Sequence, residues 1–198
     1  MDITPEIRSR IAKATGNASR LNKLWEKKDI PTNIKIKIYK ACVRSTLLYG
    51  CESWALCKSH IASLDSFEVR CARKFLPNSF RKTSEEIRKE AHLGPSIEPV
   101  IRERRLKWCG HTLRMSIERF PKNALAFERN SSWKRRSGGQ KTSWRKMISS
   151  DLEKHLKPYN MRNNIWAVKW PSLIQDVADD RKRWRAVVRD VSEAGNGQ

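Results

Sequence analysis

The feature that most constrains this chain is the spacing of its apolar residues, which recur three and four positions apart over most of its length. Ile7, Ile11, Ala14, Ala18, Leu21 and Trp25 follow one another in this way, and residues so spaced share one face of an α-helix. Thr4 and Pro5 give its start signal, a capping hydroxyl followed by a proline suited to the first helical position, and Pro31 marks its end. Alternating apolar runs bounded by turn dipeptides, which a half-buried strand requires, are not found. The expected class is therefore all-α, a helical bundle with a smaller C-terminal helical segment.

The same period predicts the later helices. Thr32 caps a second, with Ile34, Ile38, Ala41, Cys42, Ser45 and Leu48 inward and Lys35, Lys37, Lys40 and Arg44 between them. Its far end, LLYGCESWAL, is apolar nearly all round and reads as a buried continuation, with Gly50 tolerated where another backbone passes close. Ser59 opens a third, carrying Ile61, Leu64, Phe67, Cys71 and Phe75 on one face and stopped by Pro77. Thr83 and Glu86 form a capping box for a fourth that ends near Gly94-Pro95, and Ser96 caps a fifth with Ile97, Ile101, the Arg104 stem, Trp108 and Met115 as its weaker stripe.

From Phe120 to Thr142 the period fails, and SSWKRRSGGQK has the serines, paired glycines and cations of an exposed connection. Beyond it Trp144, Ile148, Leu152 and His155 form one amphipathic helix limited by Pro158, and Ile174, Val177, Arg181, Trp184, Val188 and Val191 form the last. The expected organisation is a bundle over 1–118, a basic connection over 119–142, a C-terminal helical segment over 143–192 and a frayed tail over 193–198.

Forty-two Lys and Arg against 21 Asp and Glu give a net charge of +21. Such an excess repels itself unless a polyanion neutralises it, and nucleic acid is the leading partner. An anionic membrane would need a strongly apolar amphipathic anchor or a spanning segment, and no stretch is apolar enough, so no membrane partner is expected. The polar start and the odd number of cysteines, five, point to an intracellular protein, nuclear or cytoplasmic, with reduced thiols.

Several chemistries lack their residues. Gly138-Gly139 neither follows a strand nor precedes Lys-Ser/Thr, so there is no phosphate-binding P-loop. Asp179-Asp180 is an adjacent acidic pair, but on a helix its side chains diverge by about 100°, which suits a salt-bridging surface better than two-metal catalysis. The stretch WCGHTLRM, Trp108 to Met115, reads as the last turns of a helix: Trp108 an anchor, Gly110 a point of close backbone approach, His111 a hydrogen-bonding residue near the helix end. Cys109 and His111 are two apart on that helix and cannot share a proton. The spacing from Cys51 through Cys57 and His60 to Cys71 matches no finger or knuckle, and buried thiols are the reading preferred over zinc. No catalytic residue, metal or cofactor is expected.

The positive signal is Lys and Arg interleaved with tryptophan. Arg104, Arg105 and Lys107 surround Trp108; Lys134, Arg135 and Arg136 follow Trp133, with Lys141 nearby; Arg145 and Lys146 follow Trp144; Arg181, Lys182, Arg183 and Arg185 flank Trp184. Such cations neutralise phosphates and release counterions, and an exposed indole can stack on an unpaired base. Trp108, Trp144 and Trp184 sit on apolar stripes and are read as core; Trp133, in the loop, is read as exposed.

In order along the chain, EIRSRIAKATGNASRL, KIKIYKACVRSTLLYGCESWAL, FEVRCARKFL, LGPSIEPVIRERRLKWCGHTLRM, a basic Gly-containing loop with SWRKMISSDL, and DDRKRWRAVV resemble the region downstream of the catalytic palm in LINE-type, non-LTR retrotransposon endonuclease/reverse transcriptases. The resemblance implies a polymerase thumb near the N-terminus, roughly Pro5 to Lys28 with the helices packed on it, then a basic region that handles template RNA or target DNA. The Tyr-x-Asp-Asp turn of those polymerases is absent, so the chain is expected to be non-catalytic on its own, with RNA and/or DNA and the catalytic part of a reverse transcriptase as partners. Where that family has a Gly-Arg-Pro-Arg-like run this chain has Ser137-Gly138-Gly139-Gln140-Lys141, which leaves general phosphate binding rather than sequence-specific contact. The other reading is a helical protein-interaction module whose basic surface meets an acidic partner or the rest of a polymerase.

Overall fold

The computed structural model describes residues 3–126, 144–152 and 174–194, and among these every regular element is helical. The chain divides into two compact units, Met1–Ile101 and Arg102–Gln198. The division falls inside a helix, not in the basic connection, because the second half of that helix buries its apolar face among the C-terminal elements.

In the first unit α1 (Thr4–Arg20) starts one residue earlier than its sequence signal, with Ile3 as N-cap, so Thr4 lies inside the helix and does not cap it. The expected single helix breaks at Leu21, where the backbone leaves helical geometry, and α2 (Asn22–Glu26) follows. The Ala18 carbonyl, which a continuous helix would use four residues on, accepts instead from the Leu21 amide at 3.3 Å and the Trp25 indole at 3.1 Å.

The second helix begins as α3 (Thr32–Ile38), capped by Pro31 rather than Thr32, passes through a π-helical stretch (Tyr39–Arg44) and ends in α4 (Ser45–Leu47). Its buried face is only in part the predicted one: Leu48 is buried and Ile38 half-buried as expected. Ile36, Tyr39, Val43 and Leu47 are inside while Ile34, Ala41, Cys42 and Ser45 are exposed. Two cations inside explain the shift: Lys35 donates to the Trp25 and Lys27 carbonyls at 2.7 and 2.6 Å, and Arg44 is drawn towards Glu68 at 2.8 Å. Gly50 does not continue the helix. It is left-handed (φ +74°) with open space where a Cβ would lie, so it serves the turn into a short 3₁₀ segment (Cys51–Ser53) and not a close approach.

α5 (Lys58–Arg73) buries Leu64, Phe67 and Cys71, with Phe75 just beyond it, as expected, and α1 packs on α5 and on the π-helical stretch. The Thr83–Glu86 capping box opens α6 (Ser84–Glu90): Thr83 Oγ1 accepts from the Glu86 amide at 3.3 Å while the Glu86 carboxylate accepts from the Thr83 amide at 2.6 Å. Inside this unit Glu68 is fully buried between Arg44, at 2.8 Å, and Arg88, at 3.2 Å, and accepts from the Tyr39 hydroxyl at 3.3 Å. Arg88 also pairs with Asp65 at 3.1 Å and donates to the Gly94 carbonyl at 2.7 Å. Asp65 in turn takes the Ser96 hydroxyl and the Ile97 amide, which fixes the entry into α7 (Glu98–Leu113).

The second unit holds the rest of α7, α8 (Phe120–Ala126), α9 (Trp144–Asp151), α10 (Gln175–Asp179) and α11 (Arg181–Ala194). α8 lies where no periodicity was seen, and the last helix is two. The Asp180 backbone turns out of the helix and its carboxylate accepts from the Lys182 and Arg183 amides at 2.8 and 3.2 Å, so Asp180 caps α11 and is not part of a salt-bridging face. Leu106, Cys109, Leu113, Ile148, Leu152, Ile174, Ala178, Trp184, Val188 and Val191 build the core. No helix among the described residues is long and apolar enough to cross a membrane.

Candidate functional site

The basic residues come together where α7 and α11 lie side by side. On α7, Lys107 and His111 occupy positions i and i+4, with Arg114 just past the helix end; on α11, Arg181, Arg185 and Arg189 occupy i, i+4 and i+8. Side chains at these spacings share a face, so α11 presents a row of three arginines, and Lys107 and Arg114 stand in a second row on either side of His111. The rows line a groove of about 800 Å³ whose floor is Trp184 and Val188, with Ser192 and the carboxylates of Glu103 and Glu193 also on its wall. Five Lys and Arg against two glutamates leave the groove positive.

The helices approach closely because α7 has no side chain at Gly110. A Cβ there would lie 2.1 Å from Trp184 Nε1, and the indole N–H donates to the Leu106 carbonyl at 3.0 Å. The close approach expected at Gly110 is thus made by an indole ring, not by a backbone. Trp184 is only 3% exposed, so it is core and cannot stack on a base. Arg114 is held by a bond to the Ala178 carbonyl at 2.7 Å, and Lys107 reaches Glu103 at 2.5 Å along its own helix. At the start of α11, the Arg183 and Lys182 amides bonded to Asp180 hold its carboxyl below the ordinary carboxylate range.

Of the residues expected to bind phosphate, Lys107, Arg181 and Arg185 line this groove. Lys182 and Arg183 are exposed at the start of α11, Arg104 is half-buried on α7, and Lys146 is exposed on α9. Arg105 is a correction: it is 2% exposed and paired with Asp151 at 2.9 Å, so it cannot meet a phosphate from solvent. Asp151 also holds Arg102 at 3.0 Å. Arg145 is half-buried and donates to the Leu125 carbonyl, a tie between α9 and α8. Lys134, Arg135, Arg136 and Lys141, with Trp133, lie outside the described residues, as does His155. Trp108 is half-buried, edge-on to Trp144 with centroids 5.3 Å apart. His111 is exposed on the groove wall.

Arg114 and Arg189 were missing from the sequence-derived set. The signal for Arg189 was the repeat Arg181, Arg185, Arg189, and that for Arg114 its place seven positions after Lys107; grouping by proximity to tryptophan overlooks both. No group of three or more metal-ligating side chains exists among the described residues. Cys51, Cys71 and Cys109 are buried, and burial pushes the Cys71 thiol up to about 11 and the Cys109 thiol further. Asp179 accepts from Gln175 at 2.7 Å while Asp180 caps α11, so the two carboxylates serve separate partners. No family model, no curated protein and no solved structure matches the chain.

Proposed function

We propose that this chain binds RNA or DNA through backbone phosphates, and that it does so as the non-catalytic C-terminal portion of a LINE-type reverse transcriptase. The observation that carries the binding is that Lys107 on α7, Arg114 just past its end, and Arg181, Arg185 and Arg189 on α11 face one groove, in a chain of net charge +21. The ordered sequence resemblance supports the second half of the proposal.

Affinity comes from the cations, since the groove's aromatic floor is sealed by its bond to Leu106. Contacts of that kind position a strand without reading its sequence. Anisotropy of a labelled single-stranded RNA and a labelled DNA duplex, titrated over a salt series, tests this. Binding should weaken by about 0.7–0.9 units of log K per unit of log salt for each phosphate contacted. A flat response, or no binding at low salt, contradicts it. An acidic polypeptide bound in preference at matched salt favours the protein-interaction reading.

A further inference from the structure

Chemistry-bearing side chains also converge at the start of α5, in the first unit. Cys57 is the N-cap residue of this 16-residue helix, with extended backbone. Its Sγ lies 3.2 Å from His60 Nδ1 and 3.0 Å from Ser59 Oγ. The same Nδ1 faces the Cys57 amide at 3.3 Å, while Nε2 lies 3.1 Å from Thr4 Oγ1 of α1.

A ring nitrogen that accepts an amide N–H carries a lone pair, which assigns the imidazole proton to Nε2 and its donation to the Thr4 hydroxyl. The Nδ1 lone pair then also faces the thiol. Nucleophile, base and a third group that orients the base stand in the arrangement that activates a sulfur nucleophile. The amides of the helix N-terminus stabilise sulfur in its anionic form, and so does the imidazolium formed once Nδ1 has taken the thiol proton.

The other cysteines lack this combination. Cys51, Cys71 and Cys109 are buried. Cys42 is more exposed than the half-buried Cys57 but lies within the π-helical stretch, away from a helix N-terminus.

We propose that Cys57, with His60 as its base and Thr4 as the group that orients His60, is a thiol-modification site that exchanges with low-molecular-weight disulfides. Cys57 Sγ attacks one sulfur of the disulfide, and a new S–S bond forms as the co-reactant's own S–S bond breaks. The Cys57 proton passes to His60 Nδ1 and on to the departing thiolate, so each thiol consumed is matched by a thiol released. The site is independent of the groove between α7 and α11.

The test uses the full chain with oxidised glutathione, and separately with iodoacetamide, following each cysteine by peptide mass. Cys57 reacts about three- to tenfold faster than Cys42 at neutral pH, because a base stands within reach of its thiol proton and Cys42 has none placed there. His60→Gln keeps a side chain able to reach back to the N-cap amide but supplies no base. It should bring Cys57 to the Cys42 rate or below with an unchanged Tm. Accessibility alone predicts Cys42 ahead of Cys57. That result, a preference for Cys57 below about threefold, or an unchanged ratio in His60→Gln overturns the proposal.

Discussion

The indole of Trp184 occupies the space that a side chain on Gly110 would need, with Nε1 2.1 Å from where a Cβ would lie. α7 and α11 are close enough to form a groove because of this contact. Gly110→Ala should gain about 1 kcal/mol of helix propensity and lose up to ~3 kcal/mol to overpacking, a net loss of about 2 kcal/mol in denaturant unfolding. In a Trp184→Ala background the same substitution should be neutral or stabilising, since the ring it collides with is gone. A similar loss in both backgrounds would place the strain elsewhere.

Glu68 is the counter-charge for two guanidinium groups inside the first unit. Glu68→Ala leaves Arg44 and Arg88 buried with less to neutralise them, which typically costs about 3–5 kcal/mol. The lower end is expected, because Arg88 keeps Asp65 at 3.1 Å. Hydrogen exchange should show the largest gain at Leu93 to Ile97, the segment that this network ties to α5. Uniform protection across that segment in the variant would contradict the assignment.

Asp180 makes a pH-dependent contribution to α11. Its folded carboxyl is held below the ordinary value of 3.8 by the Arg183 and Lys182 amides, so the stabilisation is full above that value and is lost as pH falls through the folded one. Asp180→Ala should lower Tm at neutral pH, and the gap to the unaltered chain should close in acid below 3.8. Asp180→Asn should retain most of the cap at neutral pH, since asparagine caps as well. A gap that stays constant with pH would remove the carboxylate from the account.

Helix class and the positions of α1, α5, α6 and α7 were legible because apolar spacing and capping residues are local signals. The inward face of the second helix was not. Lys35 and Arg44 are cations on a helix period, and only the distant Trp25 carbonyl and Glu68 carboxylate, brought near by folding, turn them inside. Arg105 failed in the same way, for Asp151 is 46 residues away in sequence. Gly110 was recognised as a close-packing position, while its partner Trp184, 74 positions on, could be placed on an apolar stripe but not opposite that glycine. Lys107, Arg181 and Arg185 were visible as basic residues beside tryptophan; the groove they share with Arg114 and Arg189 exists only once the two helices are paired.

The most direct test of the central claim is the salt slope of RNA binding for the unaltered chain and for a variant with Arg181, Arg185 and Arg189 all changed to Glu. The three side chains are exposed, so the fold and Tm should survive. If each contacts a phosphate, the slope of log K against log salt should become shallower by about two to three units and affinity should fall for RNA and DNA alike. An unchanged slope and affinity in a folded variant would contradict phosphate binding in this groove.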